Sequence, residues 1–261
     1  MIPVAASPYP IIFAHRGGGF EAPENSMAAF RRLSEIGIRY LETDVQLTAD
    51  GQVVVCHDET LDRSYGGEGK IFDHTYEEIS QLRNEAGEKM PLLSEVLTEF
   101  PDLYLNIDAK TNEVAEPLVE LLKEHDAIGR TMIASFSERR LEHIRLIGGP
   151  EVSTSLGVKA IVNLLLASET VSNAETWRVP GPRHHARAAQ VPEKTRGIRV
   201  VSPRFVATAH TAGLAVHVWT INDPEQMVKL VNIGVDGIVT DVPELAKQVF
   251  QEEGLWDPEM G

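Results

Sequence analysis

The sequence predicts an α/β fold, a (β/α)₈ TIM barrel with a small hairpin insertion after the second strand, and two observations support this prediction. Short apolar runs alternate with helical patterns along the chain, which is typical of repeated βα units around a parallel sheet. The length of 261 residues and the hydrophobic content of 43% suit one large core, and barrels of this kind commonly occupy this length as one domain. We therefore expect residues 1–261 to form a single barrel domain.

The strand candidates are short runs rich in apolar and β-branched residues. They cover residues 11–14, 40–45 with 53–56, 104–108, 132–135, 152–156, 188–191, 215–219 and 237–239. The turn signal Ala49-Asp50-Gly51 makes the second run continue into a hairpin, so these runs fill the strand positions of one barrel. The run at 198–201 fits a strand as well as 188–191 does, so the sixth position stays open on pattern alone.

Helical patterns occupy the intervals between the strands. They cover residues 26–36, 94–100, 113–125, 138–147, 160–167, 203–212 and 224–233. Asn25, Ser202 and Asp223 are expected to cap the first helix and the last two, because their side chains can accept bonds from free backbone N–H groups. Gly213 and Gly234 are the corresponding stop signals.

Polar residues suited to catalysis stand where the predicted strands end. His15 ends the first strand, and Glu42 and Asp44 lie on one face of the second because side chains alternate along a strand. His57 and Asp58 end the hairpin. Two histidines can exchange a proton as acid and base, and a cation removes the repulsion between neighbouring carboxylates. Such a set can cleave a phosphodiester with a divalent metal.

The strand at 104–108 adds a third carboxylate, Asp108, and a cation, Lys110, on one face. Arg16 can make paired hydrogen bonds to a phosphate, and Lys110 is a second candidate phosphate contact. Three carboxylates exceed these two cations, which favours a bound divalent ion, although ion pairs among these groups are the alternative. Oxygen-only ligands favour Mg²⁺, Ca²⁺ or Mn²⁺ over Zn²⁺.

In their order, these motifs resemble those of the glycerophosphodiester phosphodiesterase family. The resemblance rests on His15-Arg16-Gly17, Pro23-Glu24-Asn25, Glu42-x-Asp44 and His57-Asp58, and it continues through 66–82, 219–222 and 234–243. It implies hydrolysis of glycerophosphodiesters to glycerol 3-phosphate and an alcohol, with a cyclic phosphate formed on the way. It also favours 188–191 as the sixth strand.

The resemblance and the residue chemistry together assign roles to individual side chains. His15 and His57 are the catalytic acid and base, and Glu42, Asp44 and Asp108 are the metal ligands, Asp108 standing where family members usually carry Glu. Arg16, Lys110, Trp219 and Glu24 are the candidate substrate-site residues; Trp219 forms a wall or packs in the core, and Glu24 positions Arg16 or a loop. Asp241 is expected to cap the helix after Pro243.

Charge and composition limit the partners. A formal net charge of −15 would repel nucleic acid and anionic membranes, so we expect a small-molecule substrate. Absence of a signal segment and of an apolar run of about 20 residues predicts a cytoplasmic protein. The single cysteine, Cys56, rules out an intrachain disulfide and follows a buried strand signal.

Two other functions remain open from the sequence. A lyase of the sphingomyelinase D kind would share the barrel and the site but would release a cyclic phosphate from a membrane lipid. Such enzymes are usually secreted and disulfide-bonded, which the single cysteine disfavours. A non-catalytic barrel that binds a phosphorylated metabolite would not need both histidines and the acidic set.

Overall fold

The strands of the barrel follow the predicted order. The computed structural model describes residues 9–170 and 173–256. The strands are Ile11–His15 (β1), Tyr40–Leu47 (β2), Val53–Val55 (β3), Tyr104–Ala109 (β4), Thr131–Ala134 (β5), Ser153–Ser155 (β6), Ala186–Pro192 (β7), Lys194–Thr195 (β8), Ile198–Arg199 (β9), Ala215–Trp219 (β10) and Gly237–Thr240 (β11).

The helices lie between the strands. They are Met27–Ile36 (α1), Asp62–Tyr65 (α2), Tyr76–Ile79 (α3), Leu93–Glu99 (α4), Ala115–Glu124 (α5), Glu138–Gly148 (α6), Val158–Thr170 (α7), Pro203–Thr211 (α8), Pro224–Asn232 (α9) and Pro243–Glu252 (α10). Within the described ranges, no helix combines the length and the apolar character needed to span a bilayer.

Parallel pairing closes the barrel. Its strands follow the order β1, β11, β10, β7, β6, β5, β4 and β2, and β2 pairs with β1 to complete the ring. β3 pairs antiparallel with β2 as a hairpin, so the predicted fold class is confirmed. β7 takes the sixth position between β6 and β10, whereas Ile198–Arg199 forms a separate ribbon with Lys194–Thr195. The alternative sixth strand at 198–201 is therefore wrong.

Strand alternation divides the side chains between the barrel interior and the helical layer. Phe13 packs inside the barrel against Tyr40 and His217, while Ile12 and Leu41 belong to the core shared with the helices. The interior is narrow beside His217: a Cβ on Gly237 would lie 2.9 Å from its Cδ2.

The same alternation places the candidate site. His15 pairs in register with Glu42, and Asp44 pairs with Asp108. In parallel strands these positions reach the same edge, so their side chains emerge together at the C-terminal mouth of the barrel.

The first helix begins one residue later than predicted. Ser26 is its N-cap, because the Ser26 hydroxyl accepts a bond from the backbone N–H of Ala29 at 3.1 Å. Asn25 has a left-handed φ of 52°, and its amide bonds to Asp44 and Thr43 instead. The prediction of Asn25 as the cap is therefore wrong. The expected caps Ser202 and Asp223 are confirmed.

Candidate active site

The predicted site residues meet at the C-terminal mouth, around a cavity of about 410 Å³. All of them except Glu24 line this cavity: His15, Arg16, Glu42, Asp44, His57, Asp108, Lys110 and Trp219. Segments that are far apart in the sequence thus supply one site.

His15 is held by the carboxylate of Asp241, the residue that directly follows β11. Its Nδ1 lies 2.6 Å from Oδ1 of Asp241, and since a carboxylate can only accept, Nδ1 carries the proton and Nε2 is left free. Burial alone would lower the pKa of His15, but the bond to Asp241 and the charge of Glu42 outweigh it and raise that pKa above its usual value. This pair favours a stable imidazolium.

Asp241 is not the helix cap that the sequence suggested. The N-cap of α10 is Val242, which makes no side-chain capping bond. Asn222 fixes Asp241 instead, because its Nδ2 donates to Oδ2 of Asp241 at 2.8 Å and its Oδ1 accepts from the Asp241 backbone N–H at 2.8 Å. Neither Asp241 nor Asn222 was assigned a site role from the sequence, although Asp241 follows the last predicted strand. The sequence did contain a signal for Asp241. Side chains two positions apart in an extended segment point to the same side, and Val239 faces the barrel interior, so Asp241 does as well.

His57 has a carboxylate partner of its own. Its Nδ1 lies 2.7 Å from Oδ1 of Asp58, and Nε of Arg63 donates to Oδ2 of the same carboxylate. The hydrogen bond from Arg63 holds the pKa of Asp58 below its ordinary value. The two histidines in the cavity are therefore each oriented by a charged acceptor on Nδ1.

Arg16 and Glu24 form a support beside the cavity. Nη1 of Arg16 donates to Oε2 of Glu24 at 3.1 Å, and Nη2 of Arg63 donates to Oε1 at 2.5 Å. Burial would raise the pKa of Glu24, but the bonds to Arg63 and Arg16 lower it. Glu24 does not line the cavity. Its position therefore suits the support of Arg16 and Arg63 and does not favour direct contact with the substrate.

Lys110 lies between two of the three buried carboxylates. Its Nζ is 2.7 Å from Oδ1 of Asp44 and 2.7 Å from Oδ2 of Asp108, while Nε of Arg16 lies 3.3 Å from Oδ2 of Asp44. Burial would raise the pKa of Asp44, but Lys110 and Arg16 lower it. The ion pairs considered from the sequence therefore form.

Glu42 lacks such compensation. In the described part of the chain it forms no ion pair with lysine or arginine, and its Oε2 lies 3.9 Å from Nε2 of His15. Burial, together with the nearby charge of Asp44, raises the pKa of Glu42 to about 8. A group that is costly to ionise in this position would be stabilised as a carboxylate by an added cation.

The donor chemistry fits a hard divalent cation. Asp108 Oδ1 and Asn106 Oδ1 are buried with no hydrogen-bond partner among the described residues, and Glu42, Asp44 and Asp108 supply only oxygen donors, as Mg²⁺ and Ca²⁺ prefer. The three carboxylates do not form a ready-made coordination shell. In the described ranges, no three His, Cys, Asp or Glu groups are arranged to hold an ion.

Trp219 occupies a position that suits both roles considered for it. It ends β10, lines the cavity and meets Phe136 edge to face at a ring distance of 5.9 Å. It also packs against the aromatic layer inside the barrel. The indole thus connects the core to the cavity wall.

Comparison with known proteins gives the same family that the sequence motifs resemble. The sequence model of the Glycerophosphoryl diester phosphodiesterase family matches residues 15–245. The chain is 36% identical over 248 residues to "Probable glycerophosphodiester phosphodiesterase 2" of Mycobacterium tuberculosis, covering 95% of this chain and 93% of that protein. It is 33% identical over 258 residues to a glycerophosphodiester phosphodiesterase of Caldanaerobacter subterraneus, and the match covers 94% of this chain and 99% of that protein.

A solved structure is similar over almost the same extent. It is an Oleispira antarctica phosphodiesterase in complex with the product sn-glycerol-3-phosphate. The two chains share 26% identity with a TM-score of 0.78, covering 93% of this chain and 97% of that one.

Proposed function

Since the chain belongs to the glycerophosphoryl diester phosphodiesterase family and is a phosphoric diester hydrolase, we propose that it cleaves glycerophosphodiesters by metal-assisted, two-histidine catalysis. The products are glycerol 3-phosphate and an alcohol such as choline. The observation that carries this proposal is the presence of two histidines in one cavity, each with a carboxylate on Nδ1, beside three buried carboxylates.

Glu42, Asp44 and Asp108 are the residues that would hold the divalent ion, Mg²⁺ or Ca²⁺ with Mn²⁺ as a further candidate. When bound, the ion polarises a phosphate oxygen and makes the glycerol 2-hydroxyl more acidic. Arg16 and Lys110 bind the remaining phosphate oxygens and neutralise charge that develops on them.

The histidines move the protons. One imidazole accepts the proton of the 2-hydroxyl as its oxygen attacks phosphorus, and the other donates a proton to the alcohol oxygen as the P–O bond breaks. The resulting cyclic phosphate is opened by water with the two roles exchanged. Asp241 and Asp58 stabilise the imidazolium that forms on His15 and His57 in turn. Each carboxylate accepts the bond from Nδ1, which orients the ring and compensates its positive charge.

Hydrolysis of glycerophosphocholine tests this proposal. Choline release and phosphorus NMR should identify glycerol 3-phosphate as the final product, and chelation should abolish turnover until Mg²⁺, Ca²⁺ or Mn²⁺ is added back. His15→Ala and His57→Ala should each lower kcat by about 10²- to 10⁴-fold. His143→Ala is the control, because that histidine is exposed and contacts Glu116 away from the cavity.

Two results would contradict the proposal. Near wild-type turnover in both His15→Ala and His57→Ala would exclude acid–base catalysis by these residues. A cyclic phosphate that accumulates as the end product would identify a lyase instead of a hydrolase.

A further inference from the structure

Two amide side chains lie at the floor of the cavity, and a buried histidine lies behind them. Asn106 on β4 and Gln190 on β7 line the cavity, and His217 on β10 is in register with Gln190 and wholly buried. Asn106 precedes Asp108 by two positions on the same face of β4, so it lies about 6.6 Å further from the mouth. We call Asn106, Gln190 and His217 the polar chain.

The charge state of His217 fixes the direction of the hydrogen bonds in the polar chain. Burial lowers the pKa of His217 to about 3, so the ring is neutral near neutral pH and has one donor and one acceptor nitrogen. Its Nδ1 lies 3.2 Å from Nε2 of Gln190. An amide nitrogen can only donate, so Nδ1 accepts this bond and the ring proton is on Nε2.

The same direction continues to Asn106. Because its nitrogen is bound to His217, Gln190 presents Oε1 to Asn106, whose Nδ2 donates to it at 3.4 Å. The amide oxygen of Asn106 is then the free end of the side chain. Asn106 is only 3% exposed, and its Oδ1 accepts no hydrogen bond within residues 9–170 and 173–256. A buried acceptor without a donor is costly, so a ligand that supplies a donor here is stabilised by the pairing.

We propose that Oδ1 of Asn106 accepts a hydrogen bond from the terminal hydroxyl of the substrate's glycerol and so selects diesters that carry this hydroxyl free. The proposal rests on the function proposed above, which assigns the phosphate oxygens to Arg16 and Lys110 and the 2-hydroxyl to the attack on phosphorus. The terminal hydroxyl is then the remaining donor of the glycerol, and esterified choline has no donor at all. Gln190 and His217 act through Asn106 and are positioning residues.

The depth of Asn106 suits this hydroxyl. Asn106 pairs in register with Glu42, whereas Asp108 lies two residues nearer the mouth. Glycerol extends three carbons from the ester oxygen, so a diester whose phosphate contacts Arg16 and Lys110 can direct its terminal carbon to the floor. Ligation of the divalent ion is the competing role for the same oxygen, because Ca²⁺ also binds amide oxygens.

A substrate that lacks only the terminal hydroxyl is the direct test. In this 1-deoxy analogue propane-1,2-diol replaces glycerol, so the 2-hydroxyl, the phosphate and the choline are unchanged. Choline release is measured for the analogue and for glycerophosphocholine at a saturating concentration of the divalent ion. We expect kcat/KM of the wild-type protein to be about 10- to 100-fold higher for glycerophosphocholine, because the analogue leaves a buried acceptor without its donor.

Variants of the polar chain locate the origin of this preference. Asn106→Leu has a similar size but no acceptor, so the ratio of the two kcat/KM values should fall to within about threefold of one. Gln190→Met removes the bond that orients Asn106 and should lower the ratio by at least about threefold; this variant carries the test if Asn106→Leu does not fold. Gln226→Met is the matched control, because Gln226 bonds to Glu193 and does not line the cavity. It should keep the wild-type ratio.

The outcomes distinguish the two proposals. Similar kcat/KM values for both substrates in the wild-type protein overturn the role of Asn106 and leave the proposed function standing. A wild-type ratio in Asn106→Leu also overturns it, as does an equal loss for both substrates together with a higher ion concentration for half-maximal rate, which identifies Oδ1 as a metal ligand. An unchanged ratio in Gln190→Met overturns the positioning role of Gln190 and His217. Failure of the wild-type protein to cleave either substrate overturns the proposed function itself.

Discussion

Replacing Asp241 with Asn should impair catalysis while leaving the fold intact. Asp241 accepts a 2.6 Å bond from Nδ1 of His15, and a hydrogen bond to a charged group contributes about 1.5–3 kcal/mol. Because this contribution is greatest when the imidazolium forms, Asp241→Asn should lower kcat by about 10- to 100-fold at about 1.4 kcal/mol per tenfold. The Asn amide can also turn its NH₂ towards Nδ1 and favour the wrong tautomer, which adds to the loss.

Choline release from glycerophosphocholine measures this effect, with thermal melting as the check on folding. Asp236→Asn is a matched control: Asp236 contacts His210 at 2.8 Å at the opposite end of β11, outside the cavity. We expect it to leave kcat unchanged. A kcat for Asp241→Asn within twofold of wild type, with an unchanged melting temperature, would refute the view that this carboxylate positions and charges His15.

Three further predictions concern groups in the core. Burial raises the pKa of Cys56 to about 12, so the thiol should resist iodoacetamide at pH 8 in the folded protein and react fully in urea, as mass spectrometry would show. Burial lowers the pKa of His217 from 6.5 to about 3, so below pH 6.5 the unfolded chain takes up a proton that the folded protein does not. The free energy of unfolding, measured with urea, should therefore fall by up to about 1.4 kcal/mol per pH unit as the pH drops from 6.5 to about 3. His217→Gln should remove this contribution. An identical pH dependence in the variant would contradict the prediction. Gly237→Ala would place a Cβ 2.9 Å from His217 and should cost about 1–3 kcal/mol in urea denaturation, whereas Gly129→Ala, with no atom within 4 Å of its Cβ, should not.

The charged half of the site was predictable because it depends on local rules. Alternation along β2 puts Glu42 and Asp44 on one face, and the end of an apolar run marks His15 as the last residue of β1. Parallel strands then bring such ends to one edge. The Nδ1 partner of His57 could also be anticipated, since Asp58 is its neighbour in the chain.

The rest of the site depends on contacts between distant segments, which the sequence does not display. Asp241 is 226 positions from His15, and its place before Pro243 looked like a helix-start signal. The apolar side of the cavity, which includes residues of α7, was missed for a different reason. The apolar residues of α7 suggest a helix buried in the core, and only the structure shows that Val158 and Val162 are directed to the cavity instead.

The seam between β1 and β11 has a consequence for biogenesis. His15 emerges early during synthesis, but its orienting acid arrives only after the eleventh strand has docked against the first. A chain that ends before Asp241 therefore lacks the acceptor of His15. We expect recovery of enzymatic rate during refolding to require β11 to be paired with β1.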